Sequence, residues 1–382
     1  MSLGLASQAF ASCFLYGLPM LLPQLRADGH LSLAGAGWLV AAPSIGLLAT
    51  LIAWGVVVDR RGERGAMAIG LVLAGCFLLG AAAVTSFAGR FVLLALAGAA
   101  GGSVNSAGGR IVLGWFAPHE RGTAMGVRQT AQPLGVALAA ATFPPIADQF
   151  GTGWAIALPA ILCIAMAAMV LRYVVDPPRP AAREGSHASR SPYRTSALWR
   201  VHASSALLVV PQFAIAAFAL DFLVEQRHWT AAAAGRLLFG YQLLGAIGRV
   251  GSGVWSDRVG SRLQPMRTVA AAAALTMLAL ALGAARHSVL AVVAIGVGVL
   301  VTVADNGLGF TASAELAGPM WAGRAMGVQN TGQNLTASLT PPLLGGLIAT
   351  SGFATAFAVV AAFPLVAMAA IPVHAETSRT AQ

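Results

Sequence analysis

The chain has 382 residues, 57% of them apolar and only 9% charged, with 23 arginines, no lysine, and 13 aspartates and glutamates. Soluble domains are about one quarter charged, so a water-soluble globule is excluded. The net charge of +10 reads as an arginine bias toward one membrane face, not as a nucleic-acid footprint.

A bilayer crossing takes about 20 apolar residues. The first such run, 3–25, has no basic residues ahead of it and no small-residue cleavage site, so it reads as a first helix and not as a cleaved leader. Runs follow at 35–58, 65–87, 90–116, 123–147 and 153–175. The stretch 176–198 is rich in Pro, Ser and Arg, the composition of a solvated linker. Six more runs follow at 199–224, 231–256, 266–285, 288–315, 323–349 and 353–373. The expected architecture is an all-α membrane protein of twelve helices: a six-helix bundle over 1–175, a cytoplasmic linker, and a second bundle over 199–382. With both termini in the cytoplasm, fifteen arginines between Arg60 and Arg379 lie inside, against Arg26, Arg90, Arg227 and Arg286 outside. Cys13, Cys76 and Cys163 sit in apolar runs without paired spacing, so neither disulfides nor a metal site is expected. No cofactor is implied.

The two halves repeat. Gly55-Val-Val-Val-Asp59-Arg60-Arg-Gly62-Glu-Arg64 returns 198 residues later as Gly253-Val-Trp-Ser-Asp257-Arg258-Val-Gly260-Ser-Arg262. Asn105, Gly108, Pro118, Ala124-Met-Gly-Val127, Thr130 and Gln132 return after 201 residues as Asn306, Gly309, Pro319, Ala325-Met-Gly-Val328, Thr331 and Gln333. An even number of spans per half makes this a parallel repeat about an axis along the membrane normal. Both halves thus carry the pattern G-x-x-x-D-R-x-G-x-R, by which the chain resembles the major facilitator superfamily of secondary transporters over essentially its whole length. The resemblance implies a substrate cavity between two six-helix bundles, alternating access by rocking, and a monomer in the cytoplasmic membrane.

The turn Asp59-Arg-Arg-Gly-Glu-Arg is short enough that Gly62 must supply a positive φ. An anionic Asp59 there is suited to accept backbone N–H groups at the start of a neighbouring helix. By resemblance, Asp59, Arg60, Gly62, Arg121, Asp257 and Arg258 form cytoplasmic gates that close when the transporter faces outward. The plainer alternative is that they set loop structure and orientation.

Ionisable groups within a membrane are functional candidates. Arg110, Arg128 and Arg249 lie at one depth, on the order of 10 to 12 Å inside the cytoplasmic boundary by helical rise. Their planar forks match carboxylate or phosphate oxygens. Gly248-Arg249-Val-Gly-Ser-Gly253 also resembles the eighth helix of superfamily branches that carry oxalate, monocarboxylates or nitrate; Leu51 stands at the equivalent place in the first half, so the arginine pair of the nitrate branch is not reproduced. The alternative for Arg110 and Arg128 is snorkelling, or pairing with Asp305 or Glu315. Gln242, Gly245, Arg249 and Ser252 share one helical face, as do Arg128 and Gln132, and Gln329 and Gln333. Asn105 and Asn306 occupy matching positions and either line a cavity or bond helices together; Gly98 and Gly102 have the spacing of close helix packing. Asp305 is the carboxylate nearest the membrane centre and the candidate proton carrier, with Glu315 and Asp221 as further candidates.

The expected function is secondary transport of a small, carboxylate-like organic anion, coupled to protons or to a counter-substrate. A multidrug exporter of the same fold competes; Phe143-Pro144-Pro145 stands where the drug antiporters carry G-P-x-x-G-G. A non-transporting sensor is the other alternative. No G-x-S-x-G, H-E-x-x-H or glycine-rich phosphate loop points to an enzyme. The seven histidines all read as loop or helix-end residues.

Overall fold

No water serves the backbone in a bilayer core, so each apolar run must satisfy its N–H and C=O groups within its own helix. Every regular element among the described residues is accordingly helical. The computed structural model describes residues 2–29, 31, 33–177 and 191–376, with the backbone alone for 29, 33, 34, 231, 232 and 242. Most of the expected linker, 178–190, lies outside the described residues.

In chain order the helices are α1 (Ser2–Asp28), α2 (Gly35–Arg61), α3 (Glu63–Ala83), α4 (Phe87–Trp115), α5 (121–150), α6 (Thr152–Tyr173), α7 (Ser196–Gln226), α8 (Ala231–Val259), α9 (Leu263–Ala285), α10 (Leu290–Ala317), α11 (322–351) and α12 (353–370). Nine described stretches are long and apolar enough to cross a membrane, and the last of them is α11 and α12 run together across Gly352, whose φ is 77°. α5 and α8 are too polar to qualify, and they are the helices that carry Arg128 and Arg249. With them the twelve expected spans are complete.

The chain divides into two compact units, neither continuous in sequence. The first comprises Met1–Trp115, Val127–Gly185 and Gly318–Val328; the second comprises Phe116–Gly126, Ser186–Ala317 and Gln329–Gln382.

In the first unit, α2 and α4 touch backbone to backbone. A Cβ on Gly98 would lie 1.9 Å from Pro43 O, and one on Gly46 would lie 1.8 Å from Ala95 O. Lipid gives helices no hydrophobic reason to associate, so small residues that allow close approach replace it. Thr50 Oγ1 and Trp54 Nε1 both donate to Ala99 O at 2.7 Å, tying the same pair polarly. α1 meets α5 the same way, Gly135 against Ala9 O. In the second unit the rings of Phe222, Phe353 and Phe357 pack at 5.5 to 6.0 Å between centroids.

Two helices expected to be continuous are interrupted. α5 tightens at Thr130, whose N–H bonds Val127 O, and α10 leaves the α-helical ladder over 302–304. Arg128 lies in the last turn of the first segment of α5, and Asp305 begins the second segment of α10. Each charge therefore sits at the helix end whose dipole favours it, a cation at a C-terminus and an anion at an N-terminus.

Candidate functional site

The signature turns are built alike in the two units. In the first, Gly62 ends α2 with φ 96°. Asp59 Oδ1 accepts from Gly323 N at 2.8 Å and Oδ2 from Arg324 N at 3.1 Å. These are among the first N–H groups of α11, which have no partner within their own helix. The approach requires glycine: a Cβ on Gly323 would lie 2.6 Å from both Asp59 Oδ1 and Gly55 O. Arg324 adds an ion pair to Asp59 at 3.6 Å and lies over the Trp321 ring.

In the second unit, Asp257 Oδ1 accepts from Gly122 N at 2.9 Å, and Oδ2 from Thr123 N and Thr123 Oγ1 at 2.7 Å. Gly253 and Gly122 meet as Gly55 and Gly323 do, a Cβ on Gly253 lying 2.3 Å from Gly122 O. Arg262 Nη1 reaches Asp257 at 2.6 Å, and both Arg262 and Arg121 reach Glu315 at 3.4 Å. Arg60 and Arg258 are exposed. The arginine that engages Asp257 is therefore Arg262, the repeat counterpart of Arg64. Behind each turn a carboxylate caps backbone N–H groups: Asp176 accepts from Arg64 N at 2.7 Å, and Glu376 from Arg262 N at 2.8 Å and Leu263 N at 3.1 Å.

Arg110 belongs with the first turn. Its Nε pairs with Glu63 Oε1 at 2.7 Å, its Nη1 lies 3.6 Å from Asp59 Oδ1, and it donates to Val58 O and Asp59 O. All three side chains are buried. Its charge is thus met by Glu63 and Asp59, and neither Asp305 nor Glu315 is its partner.

Arg128, 4% exposed, donates from Nη2 to Asn105 O at 2.9 Å and from Nη1 to Gln129 Oε1 at 3.2 Å. Its guanidinium fills the space left by the missing side chain of Gly108, where a Cβ would lie 2.1 Å from Nε. Gln8 Nε2 points to Asn105 Oδ1 at 3.5 Å. Gln132, one turn on, is half-buried.

In the second unit Arg249 is 8% and Asp305 1% exposed, and the two interact electrostatically. Asp305 Oδ2 has no hydrogen-bond partner among the described residues. Beside it Asn306 Nδ2 donates to Gln212 Oε1 at 3.1 Å and Oδ1 accepts from Gln333 Nε2 at 3.4 Å, joining α7, α10 and α11. Ser252 Oγ bonds Ala304 O at 2.7 Å where α10 is interrupted. Gln329 is buried against Ser313 and His202. Asp221 is exposed at the far end of α7, and the side chain of Gln242 lies outside what is described.

Sequence reasoning missed Glu63, Arg262, Glu376, Gln8, Gln212 and His202. Glu63 and Arg262 stood inside the repeated signature and were findable there. Gln8 and Gln212 were isolated amides in apolar runs, with no local signal. His202, read as a helix-end residue, is instead buried in the second turn of α7.

A family model described as Major Facilitator Superfamily matches residues 4–341 and 203–381. An uncharacterized MFS-type transporter of Mycobacterium tuberculosis is 46% identical over 378 residues, 98% of this chain and 84% of its own length. The hexuronate transporter of Bacillus subtilis is 25% identical over 167 residues, 44% of this chain and 40% of its own. Among solved structures, the E. coli fucose:proton symporter superposes with a TM-score of 0.76 at 16% identity, covering 96% of this chain and 97% of the symporter, a likeness of fold alone.

Proposed function

The chain belongs to the Major Facilitator Superfamily and is a multi-pass membrane transporter, and we propose that its cargo is a small organic anion of carboxylate type. The observation that carries this reading is the burial of Arg128 and Arg249 in membrane-crossing helices. A guanidinium held there costs at least about 2.5 kcal/mol on insertion scales. A chain that uses arginine as its sole permanent side-chain cation and still buries two of them about two to three turns inside their helices has a use for their charge. Lipophilic cations would be repelled by both. The hexuronate named for the Bacillus relative carries a carboxylate, which agrees with this reading.

Arg249 is the leading substrate contact. Arg128 accompanies it, with Asn105, Gln132, Asn306, Gln242, Gln329 and Gln333 as polar company. Arg110 is held by Glu63 and serves the turn around Asp59 instead. Asp305 couples transport to protons: next to Arg249 it neutralises the guanidinium when ionised and releases it to the anion when protonated. Glu315, held between Arg121 and Arg262, belongs to the cytoplasmic latch. Asp221 remains a candidate at the outer end of α7. Alternating access then requires Asp59 to leave the first turn of α11, and Asp257 that of α5.

The test is a thermal-shift screen of the purified protein against D-glucuronate, oxalate, lactate, glucose 6-phosphate and tetraphenylphosphonium. A ligand at about 100 times its Kd stabilises by about 2.7 kcal/mol. Stabilisation by one anion class, lost in Arg249→Gln, is expected. Stabilisation by tetraphenylphosphonium alone would replace the reading with a drug exporter.

A further inference from the structure

Gln329 is the repeat counterpart of Arg128, and Gly309 of Gly108, both displaced by 201 residues. In the first unit the place over Gly108 is filled by a permanent cation. In the second unit a Cβ on Gly309 would lie 2.3 Å from Ser205 Oγ and 3.1 Å from Gln329 Nε2, a neutral pair of polar atoms. Both atoms are buried without hydrogen-bond partners among the described residues. Gln329 is held in this orientation from behind: its Oε1 accepts from Ser313 Oγ at 3.1 Å and faces His202 Nδ1 at 2.5 Å.

That arrangement assigns the tautomer of His202. A carbonyl oxygen only accepts, so Nδ1 carries the proton and the Nε2 lone pair faces Tyr193 OH, 3.1 Å away. A second proton on Nε2 costs no hydrogen bond, because the phenol turns from donor to acceptor. His202 itself is only 7% exposed. Tyr193 stands in the turn Pro192–Arg194 ahead of α7, half-buried beside the exposed Arg194 and Thr195. Protons therefore have a short way in from that end.

The charged groups on the elements around His202 are either exposed, as Arg194, Asp221 and Glu225 are, or engaged elsewhere. Glu315 of α10 meets Arg121 and Arg262, and Arg324 of α11 meets Asp59. Arg200 of α7 donates to Ala370 O of α12. Asp305, two to three turns away along α10 from Ser313, interacts with Arg249. Among the described residues, Tyr193 is the titratable group that faces the imidazole.

We infer that His202 is a switchable cation, which through Gln329 takes in the second half of the repeat the place that Arg128 holds permanently in the first. Protonated through Tyr193, it adds positive charge behind Gln329; neutral, it leaves an uncharged amide there. The flux consequence rests on the anion-transport reading above; the protonation itself does not.

Two measurements separate them. In full-length protein labelled with 15N-histidine and held in lipid nanodiscs, the His202 signals, assigned by their loss in His202→Gln, are expected to show a proton on Nδ1 alone near pH 8 and on both nitrogens near pH 5. A fixed Nε2–H tautomer, or signals unchanged over that range, overturns the inference. In Tyr193→Phe the second proton loses its acceptor, so the transition moves to lower pH. In proteoliposomes, D-glucuronate exchange by the wild type is expected to change several-fold between internal pH 5.5 and 7.5, and less than twofold in His202→Gln. Equal pH dependence in the two proteins, or none in the wild type, overturns the inference. If the wild type moves no D-glucuronate at all, that cargo is excluded, and the nitrogen signals decide the inference.

Discussion

At the scale of single residues, burial makes each charge depend on its partner. Arg110 and Glu63 are both buried and 2.7 Å apart. Removing one partner of such a pair typically costs about 3–5 kcal/mol, while replacing both by apolar residues of similar volume is often nearly neutral. Glu63→Met is therefore expected to lower the melting temperature in detergent strongly, and Glu63→Met with Arg110→Met to recover most of the loss. Additive losses in that cycle would show that the pair is not coupled. Asp305→Asn is expected to slow proton-driven flux more than counterflow, since the amide carries no proton; equal slowing of both would remove its coupling role. These residues were only partly legible beforehand. Three buried arginines stood out by composition and depth, but which of them is committed to a carboxylate depended on Glu63, four positions past Asp59 and on another helix.

At the scale of elements, glycine decides which helices meet. Gly98 was visible through its G-x-x-x-G spacing, and the contact it permits is with the backbone of Pro43. Gly98→Val forces backbone atoms apart, and overpacking costs about 1–3 kcal/mol even where side chains can yield. A loss of folded, monodisperse protein is expected on size exclusion, whereas Gly251→Val, with open space around its Cβ, should purify normally. The turns at Asp59 and Asp257 follow the same logic. Asp59→Asn keeps the shape but loses the charge in its bonds to Gly323 N and Arg324 N, and hydrogen bonds to charged groups contribute about 1.5–3 kcal/mol. Because about 1.4 kcal/mol is a tenfold change in an equilibrium, cysteine accessibility at the start of α11 should rise at least tenfold. Unchanged labelling would mean that Asp59 only shapes its loop. The interruption of α10 was not legible, because no proline stands within 302–304 to mark a break.

At the scale of the whole molecule, arginine asymmetry predicts that both termini face the cytoplasm. A green fluorescent protein fused after residue 382 should fluoresce, and alkaline phosphatase at the same place should be inactive; the reverse pattern would invert the topology. Twelve spans, the repeat and the glycine-aspartate turns were all readable from sequence, since span length, hydropathy and identity at fixed displacement are properties of the chain alone. Tertiary structure decided what pairs with what: Arg110 with Glu63, Arg262 rather than Arg258 with Asp257, and His202 with Gln329. It also decided where α5 and α10 break. Local sequence carries the cost of burying a polar group, but the group that offsets that cost lies on another helix, tens or hundreds of residues away, and only packing brings it within hydrogen-bonding distance.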